Sequence, residues 1–234
     1  LIFIAFAFGC NMGCSVVVSQ LFGAKEYGRV KTAVYTSMIT SGVTCLCLMA
    51  VGLLGCDSLL GLINTPEEVF ADSRLYLDIY VWGLPFVFFY NIATGIFSAL
   101  GDSKTPFVFL AVSSLSNIGM DILFVEAFHM GVAGAAIATV IGQFSSASLG
   151  LCFNLKYNPE VQFGRRYFKP HGATIRTILT VGVPSIIMNS IGSFMNFSMN
   201  QILQSFKETA TGVFGIYFKL QSFFFMPLFG INNA

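Results

Sequence analysis

The chain has 234 residues, 55% of them hydrophobic and 10% charged, with a formal net charge of +1. A water-facing domain carries about 25% charged residues, so this composition excludes an ordinary soluble surface. It also lacks the basic excess that nucleic-acid binding requires.

A bilayer span needs about 20 mostly apolar residues, and the chain offers seven such stretches. Residues 1–22 form the first, opening on Leu1 with no basic leader region, so it reads as the remains of a span rather than a signal peptide. Thr32–Cys56 is the second. A long third begins at Pro66 and runs to Leu100, with Pro85 in its middle. Phe107–Phe128, Gly131–Leu155 and Ile175–Phe206 are the fourth to sixth, and Thr211–Ala234 begins a seventh. Both chain ends fall inside apolar sequence, so the chain is expected to be a piece of a longer protein. Pro85, Pro184 and Pro227 each remove a backbone hydrogen bond within a span and are candidate hinges.

The fold class predicted from this pattern is all-α, a polytopic transmembrane helix bundle. Its one long connection, Lys156–Thr174, is polar and basic and separates 1–155 from 175–234. Loops 23–31, 101–106 and 156–176 hold nine Lys and Arg, whereas the alternate loops hold only Arg74 and Lys207. The basic loops are therefore cytoplasmic, and the spans alternate without conflict. Phe8–Gly13 is faintly repeated in Phe229–Ala234, in a span of the same sense, which suggests two parallel halves related by an axis along the membrane normal.

Cys10, Cys14, Cys45, Cys47, Cys56 and Cys152 lie in or beside apolar runs and read as small buried hydrophobes rather than a disulfide framework. His129 and His171, the only histidines, have no companion pattern for zinc binding or nucleophilic catalysis, so an enzyme is not expected.

One acid stands apart. Asp121 lies inside the fourth span, where a carboxylate costs about 2.5–3.5 kcal/mol near a helix centre. Asn117 precedes it by one turn on the same face. At 1.5 Å per residue, Asp121 is about 20 Å from the cytoplasmic helix end, in the outer half of the membrane. The pair suits Na⁺ coordination or proton exchange. Small residues from Gly134 to Thr139 let the next span approach closely, which would bring Thr139 into reach, although a threonine in a membrane helix usually bonds its own backbone. In the sixth span Ser185, Asn189, Ser193, Asn196, Asn200 and Gln204 recur at helical spacing and read as an inward face that lines a wet cavity or, as the alternative, bonds neighbouring helices. Asn91 and Gln143 are isolated amides that suit helix–helix bonding. Gly101–Pro106 is a tight loop without a phosphate-binding P-loop pattern.

Several motifs in order, Ser19-Gln-x-x-Gly23-Ala24, Gly101-Asp-Ser-Lys-Thr-Pro106, Asn117-x-x-x-Asp121, Gly131-Val-Ala-Gly134-Ala-Ala-x-Ala-Thr139, Gly182-Val-Pro184 and Pro227-x-x-Gly230-x-x-x-Ala234, resemble the multidrug and toxic compound extrusion (MATE) family. The resemblance implies twelve helices in two pseudo-symmetric six-helix lobes, of which this chain matches the second to part of the eighth. It then implies an amino-terminal lobe over 1–155, an inter-lobe loop over 156–174, and the start of the carboxy-terminal lobe over 175–234. It further implies a monomeric cell-membrane antiporter, bacterial in origin, that exchanges Na⁺ or H⁺ for small organic, often cationic, compounds and needs no other cofactor. The family's amino-lobe cation site falls on Asn117, Asp121 and Thr139, with a further acid on the family's first helix. Some members carry a Glu in the seventh helix, where this sequence has Gly192, so coupling is expected to rest on the amino-lobe site. The alternatives are a lipid-linked saccharide flippase of the same superfamily, or a passive channel or non-transporting receptor. The absence of mid-span Lys or Arg other than Lys219 weighs against the flippase.

Overall fold

The computed structural model describes residues 2–62, 65, 67–158, 170–204 and 208–232. The described residues are helical throughout, apart from short turns: α1 (Ile2–Gly23), α2 (Tyr27–Leu54), α3 (Cys56–Leu62), α4 (Glu67–Ala99), α5 (Lys104–Asp121), α6 (Gly131–Tyr157), α7 (Gly172–Gln204) and α8 (Glu208–Asn232). A π-helical segment, Ile122–Ala127, continues α5. Six of these helices, taking α5 together with its π segment, are long and apolar enough to cross a membrane. The seventh predicted span folds as α8. Pro66, most of the predicted inter-lobe loop (159–169) and the end of the Phe229–Ala234 repeat lie outside the described residues.

Residues Leu1–Ser190 form one compact unit and Ile191–Ala234 a second. In the first, α4 is the central helix and packs on α1, α2 and α6, while α5 packs chiefly on α6. Backbones in a bilayer gain little from apolar burial alone, so close helix approach depends on small residues. Gly150 illustrates this, since a Cβ there would lie 2.9 Å from the Ala93 Cβ. The same crossing carries Asn154, 2% exposed. Its Nδ2 donates to the Gly150 carbonyl at 2.9 Å and to Ala93 on α4 at 3.2 Å. Asn11 on α1 donates to Thr94 Oγ1 on α4 at 3.2 Å. Asn91, expected to bond a neighbouring helix, instead donates to its own Val87 carbonyl at 2.8 Å.

The start of α7 packs on α1 at Gly9, Gly13, Ile178, Gly182 and Ile186. A Cβ on Gly182 would lie 2.9 Å from the Gly9 carbonyl oxygen, which explains the glycine of the Gly182-Val-Pro184 motif as a close backbone approach. On the far side, Arg74 of α4 pairs with Asp57 of α3 at 3.1 Å and pins the short helix. In the second unit, Phe214 meets Tyr217 and Phe218 along α8. All six cysteines are free: Cys10, Cys14, Cys45 and Cys56 are buried as expected, but Cys47 and Cys152 are exposed on the helix surface. Both sit on faces that no neighbouring helix covers, where an apolar thiol suits lipid contact.

Candidate cation site on the face between α5 and α6

The loop before α5 sets where that helix starts. Gly101 adopts φ +84°, which only glycine takes without strain. Asp102 then accepts the Lys104 and Thr105 amides at 3.1 Å each and the Thr105 hydroxyl at 2.5 Å. These bonds satisfy amides that have no helical partner in the first turn. They also hold the Asp102 carboxyl below the usual carboxylate range, with the Thr105 hydroxyl as the largest cause. Pro106 sits within that first turn, where its missing N–H costs nothing.

From there the helix period decides which residues meet α6. Phe107, Leu110, Leu115 and Ile118 are exposed and form an outward face suited to lipid. Phe109, Ser113, Asn117 and Asp121 follow one another at four-residue steps and make a single row. The row runs from a buried phenylalanine and a buried serine to a half-buried asparagine and a half-buried aspartate. Ser113 Oγ donates to the Gly142 carbonyl of α6 at 2.8 Å. A Cβ on Gly142 would lie 3.2 Å from the Asn117 Cβ, so the glycine admits the asparagine at the interface. Phe124 meets Gly134 one to two turns further on. These antiparallel contacts bring Asp121 level with the Ala135–Thr139 turn of α6.

The regular α-helix ends on Asp121 itself. At 1.5 Å per residue from Lys104 it stands about 25 Å along the helix, toward the end that leads into α6. The π segment begins at the next residue, and sequence reasoning missed it. After it, left-handed backbone at His129 (φ +52°) and Gly131 (φ +57°) closes the turn into α6. π turns of this kind cluster at functional sites.

Among the described residues, no side chain hydrogen-bonds or ion-pairs with the Asp121 carboxylate. The Asn117 Nδ2 is buried without a hydrogen-bond partner. Thr139 Oγ1 donates to its own Ala135 carbonyl at 2.9 Å. Its single proton is thereby engaged and its oxygen lone pairs are left over. The set is one carboxylate, one amide and one hydroxyl oxygen, and hard oxygen donors of this kind suit a small hard cation. No group of three or more His, Cys, Asp or Glu is placed to hold a metal ion among the described residues.

The other predicted residues belong to other helices. Asn189 Nδ2 donates to Ser185 at 2.8 Å and Asn196 Nδ2 to Gly192 at 2.9 Å, each along its own helix. Ser193 is half-buried, and the side chain of Asn200 lies outside the described residues. Pro85 and Pro184 lie within continuous α4 and α7. The backbone of α8 likewise continues through position 227. Gln143, read as a helix bridge, points its Oε1 at the Gly83 position of α4, buried and without a hydrogen-bond partner.

Comparison with known proteins gives the same frame. The MatE family model matches residues 1–123. The chain is 29% identical over 238 residues to the probable multidrug resistance protein YoeA of Bacillus subtilis, covering 99% of this chain and 51% of that protein. It is 24% identical over 213 residues to the multidrug export protein MepA of Staphylococcus aureus, covering 91% of this chain and 47% of that protein. The chain thus spans about half the length of the curated relatives it matches. Its fold matches the inward-facing conformation of a multidrug resistance MATE family transporter of the MOP superfamily, with a TM-score of 0.90 at 24% identity, over 98% of this chain and 52% of that one. With its apolar spans, its ordered motifs and the match over more than half its length, the chain is an integral membrane protein that belongs to the MatE family.

Proposed function

We propose that the protein works as a cation-coupled exporter of small organic, often cationic, compounds, with Asp121 as the residue that binds the coupling ion. The observation that carries this reading is the row ending on Asp121, a carboxylate at membrane depth with no protein partner among the described residues, one turn from the unpartnered amide of Asn117. A bare carboxylate there is costly, and a bound Na⁺ or proton removes that cost. Thr139 offers a third oxygen. Names of relatives such as YoeA and MepA speak of multidrug resistance and export, and they support the substrate class.

In this reading the amino-terminal lobe, 1–155, holds the ion, and Asn189, Ser193, Asn196 and Asn200 line the substrate cavity of a monomer. The cation favours one arrangement of the lobes and the substrate the other, so that transport follows from differential affinity. A shift from 1:99 to 99:1 requires about 10⁴-fold preference for one state. Bends at Pro85, Pro184 and Pro227 accommodate the change.

The test is ion-gradient-driven efflux of a fluorescent organic cation from reconstituted vesicles. Asp121→Asn should abolish accumulation against the gradient at unchanged protein level, and the same vesicles driven first by a Na⁺ and then by a proton gradient identify the ion. Undiminished efflux by a well-inserted Asp121→Asn protein would refute the assignment.

A further inference from the structure

A cavity of about 250 Å³ lies between the last two turns of α1, the first turns of α2 and the start of α7. It is far from Asp121 along the membrane normal, since all three helix ends belong to the side that holds the basic loops. Its polar lining comes from Gln20, Arg29, Thr32, His171, Thr174 and Thr177. No carboxylate lines it. Thr32 and Thr177 already donate to their own Gly28 and Ala173 carbonyls, at 3.4 and 3.0 Å, so the donors left for a ligand are those of Arg29, the Gln20 amide and the His171 ring, the opposite chemistry to the Asp121 row. One bond ties this wall across helices and the others are local. The His171 amide donates to Thr36 Oγ1 of α2 at 3.4 Å, and His171 Nδ1 lies 3.2 Å from Thr174 Oγ1. Arg29 Nη1 holds Glu26, one turn back, at 2.6 Å. A guanidinium has five N–H donors, so that pair leaves most of them for the cavity.

We propose that this cavity binds a phosphate group, carried by an anionic lipid of the inner leaflet or by free phosphate. Arginine matches the oxygens of a phosphate in geometry as well as charge. The Gln20 amide and the His171 ring can donate to the remaining oxygens, and the cavity sits at headgroup depth, where α1 and α2 emerge from the bilayer. Glu26 competes for Arg29, so the structure also sets the sign of its effect: removing that carboxylate should tighten the site.

The experiment is native mass spectrometry of the purified protein titrated with dioctanoylphosphatidylglycerol. Arg29→Gln should weaken the first lipid adduct about 10-fold, the cost of one charge-assisted hydrogen-bonding group. Lys104→Gln, which removes equal charge on the same membrane side, should change it less than about two-fold. Glu26→Gln should strengthen it, and Gln20→Leu should weaken it without altering charge. Millimolar inorganic phosphate that displaces the lipid identifies free phosphate as an occupant, while a lipid adduct that resists it identifies the headgroup. Equal losses from Arg29→Gln and Lys104→Gln would mean diffuse attraction and overturn the proposal. So would weakening by Glu26→Gln, or the absence of any saturable adduct.

Discussion

Gly13→Ala provides a sharp test of the packing between α1 and α7. An added Cβ would lie 2.6 Å from the Ile178 carbonyl oxygen and 3.0 Å from the Ile178 Cγ2. Ordinary contact begins near 3.4 Å, so one helix must give by about 0.8 Å. The near atom is backbone, fixed inside a continuous helix, and cannot rotate away. Overpacking of this kind costs about 1–3 kcal/mol. Set against it is the helix propensity of alanine over glycine, about 1 kcal/mol. The balance is a net loss of up to about 2 kcal/mol. Gly42→Ala in α2 is the matched control, because a Cβ there meets nothing within 4 Å. That substitution should be neutral or stabilising by up to about 1 kcal/mol. At about 2–4 °C per kcal/mol for a chain of this size, thermal unfolding in detergent should place Gly13→Ala below wild type by up to about 8 °C, and Gly42→Ala at or above it. Gly13→Ala melting above Gly42→Ala would refute the close approach.

Two further outcomes follow from named bonds. Asp102→Ala should destabilise the start of α5 by about 0.5–2 kcal/mol, the usual cost of a lost cap. Because the Asp102 carboxyl is held below its ordinary range in the folded protein, its contribution is fully present above the unfolded pKa of about 4 and is lost as pH falls through the folded value. The gap in melting temperature between wild type and Asp102→Ala should therefore be constant from neutral pH to about pH 5 and close under stronger acid; a gap that widens in acid would contradict the bonding. Asn154→Ala should cost about 0.6 kcal/mol, and at most about 1.7 kcal/mol, the mean and maximum for polar contacts between membrane helices, since it removes the bond from α6 to the Ala93 carbonyl. Guanidinium-free thermal melts in the same detergent measure it, and an unchanged melting temperature would show that the bond contributes nothing.

The spans were legible because hydrocarbon thickness and helix rise leave little freedom in their number and length. The row from Asn117 to Asp121 was legible for the same reason, since a four-residue step fixes a shared face before any tertiary contact is known. What a single period cannot carry is the neighbour. Nothing in the spacing of Asn91 distinguishes bonding to another helix from bonding to its own Val87 carbonyl, and the outcome was the latter. Thr139 shares that ambiguity: its hydroxyl donates to Ala135 while lying in the turn level with Asp121. Gly9, Gly13 and Gly182 were visible as glycines, but only the folded chain pairs them across two helices separated by some 170 positions.

The π segment after Asp121 was illegible for a different reason. A π turn adds one residue to a helical ring, and no residue type demands it. Its physical effect is nonetheless specific. The row Phe109, Ser113, Asn117, Asp121 ends its regular α-helical part on the carboxylate. The π segment beyond it still packs on α6, through Phe124 at Gly134, before the left-handed residues His129 and Gly131 turn the chain back into α6. At the junction the acid stands beside backbone whose hydrogen-bonding pattern changes from one period to the next. The placement of the acid at the end of the regular helix, rather than its mere presence in an apolar span, is what supports the cation role proposed for Asp121.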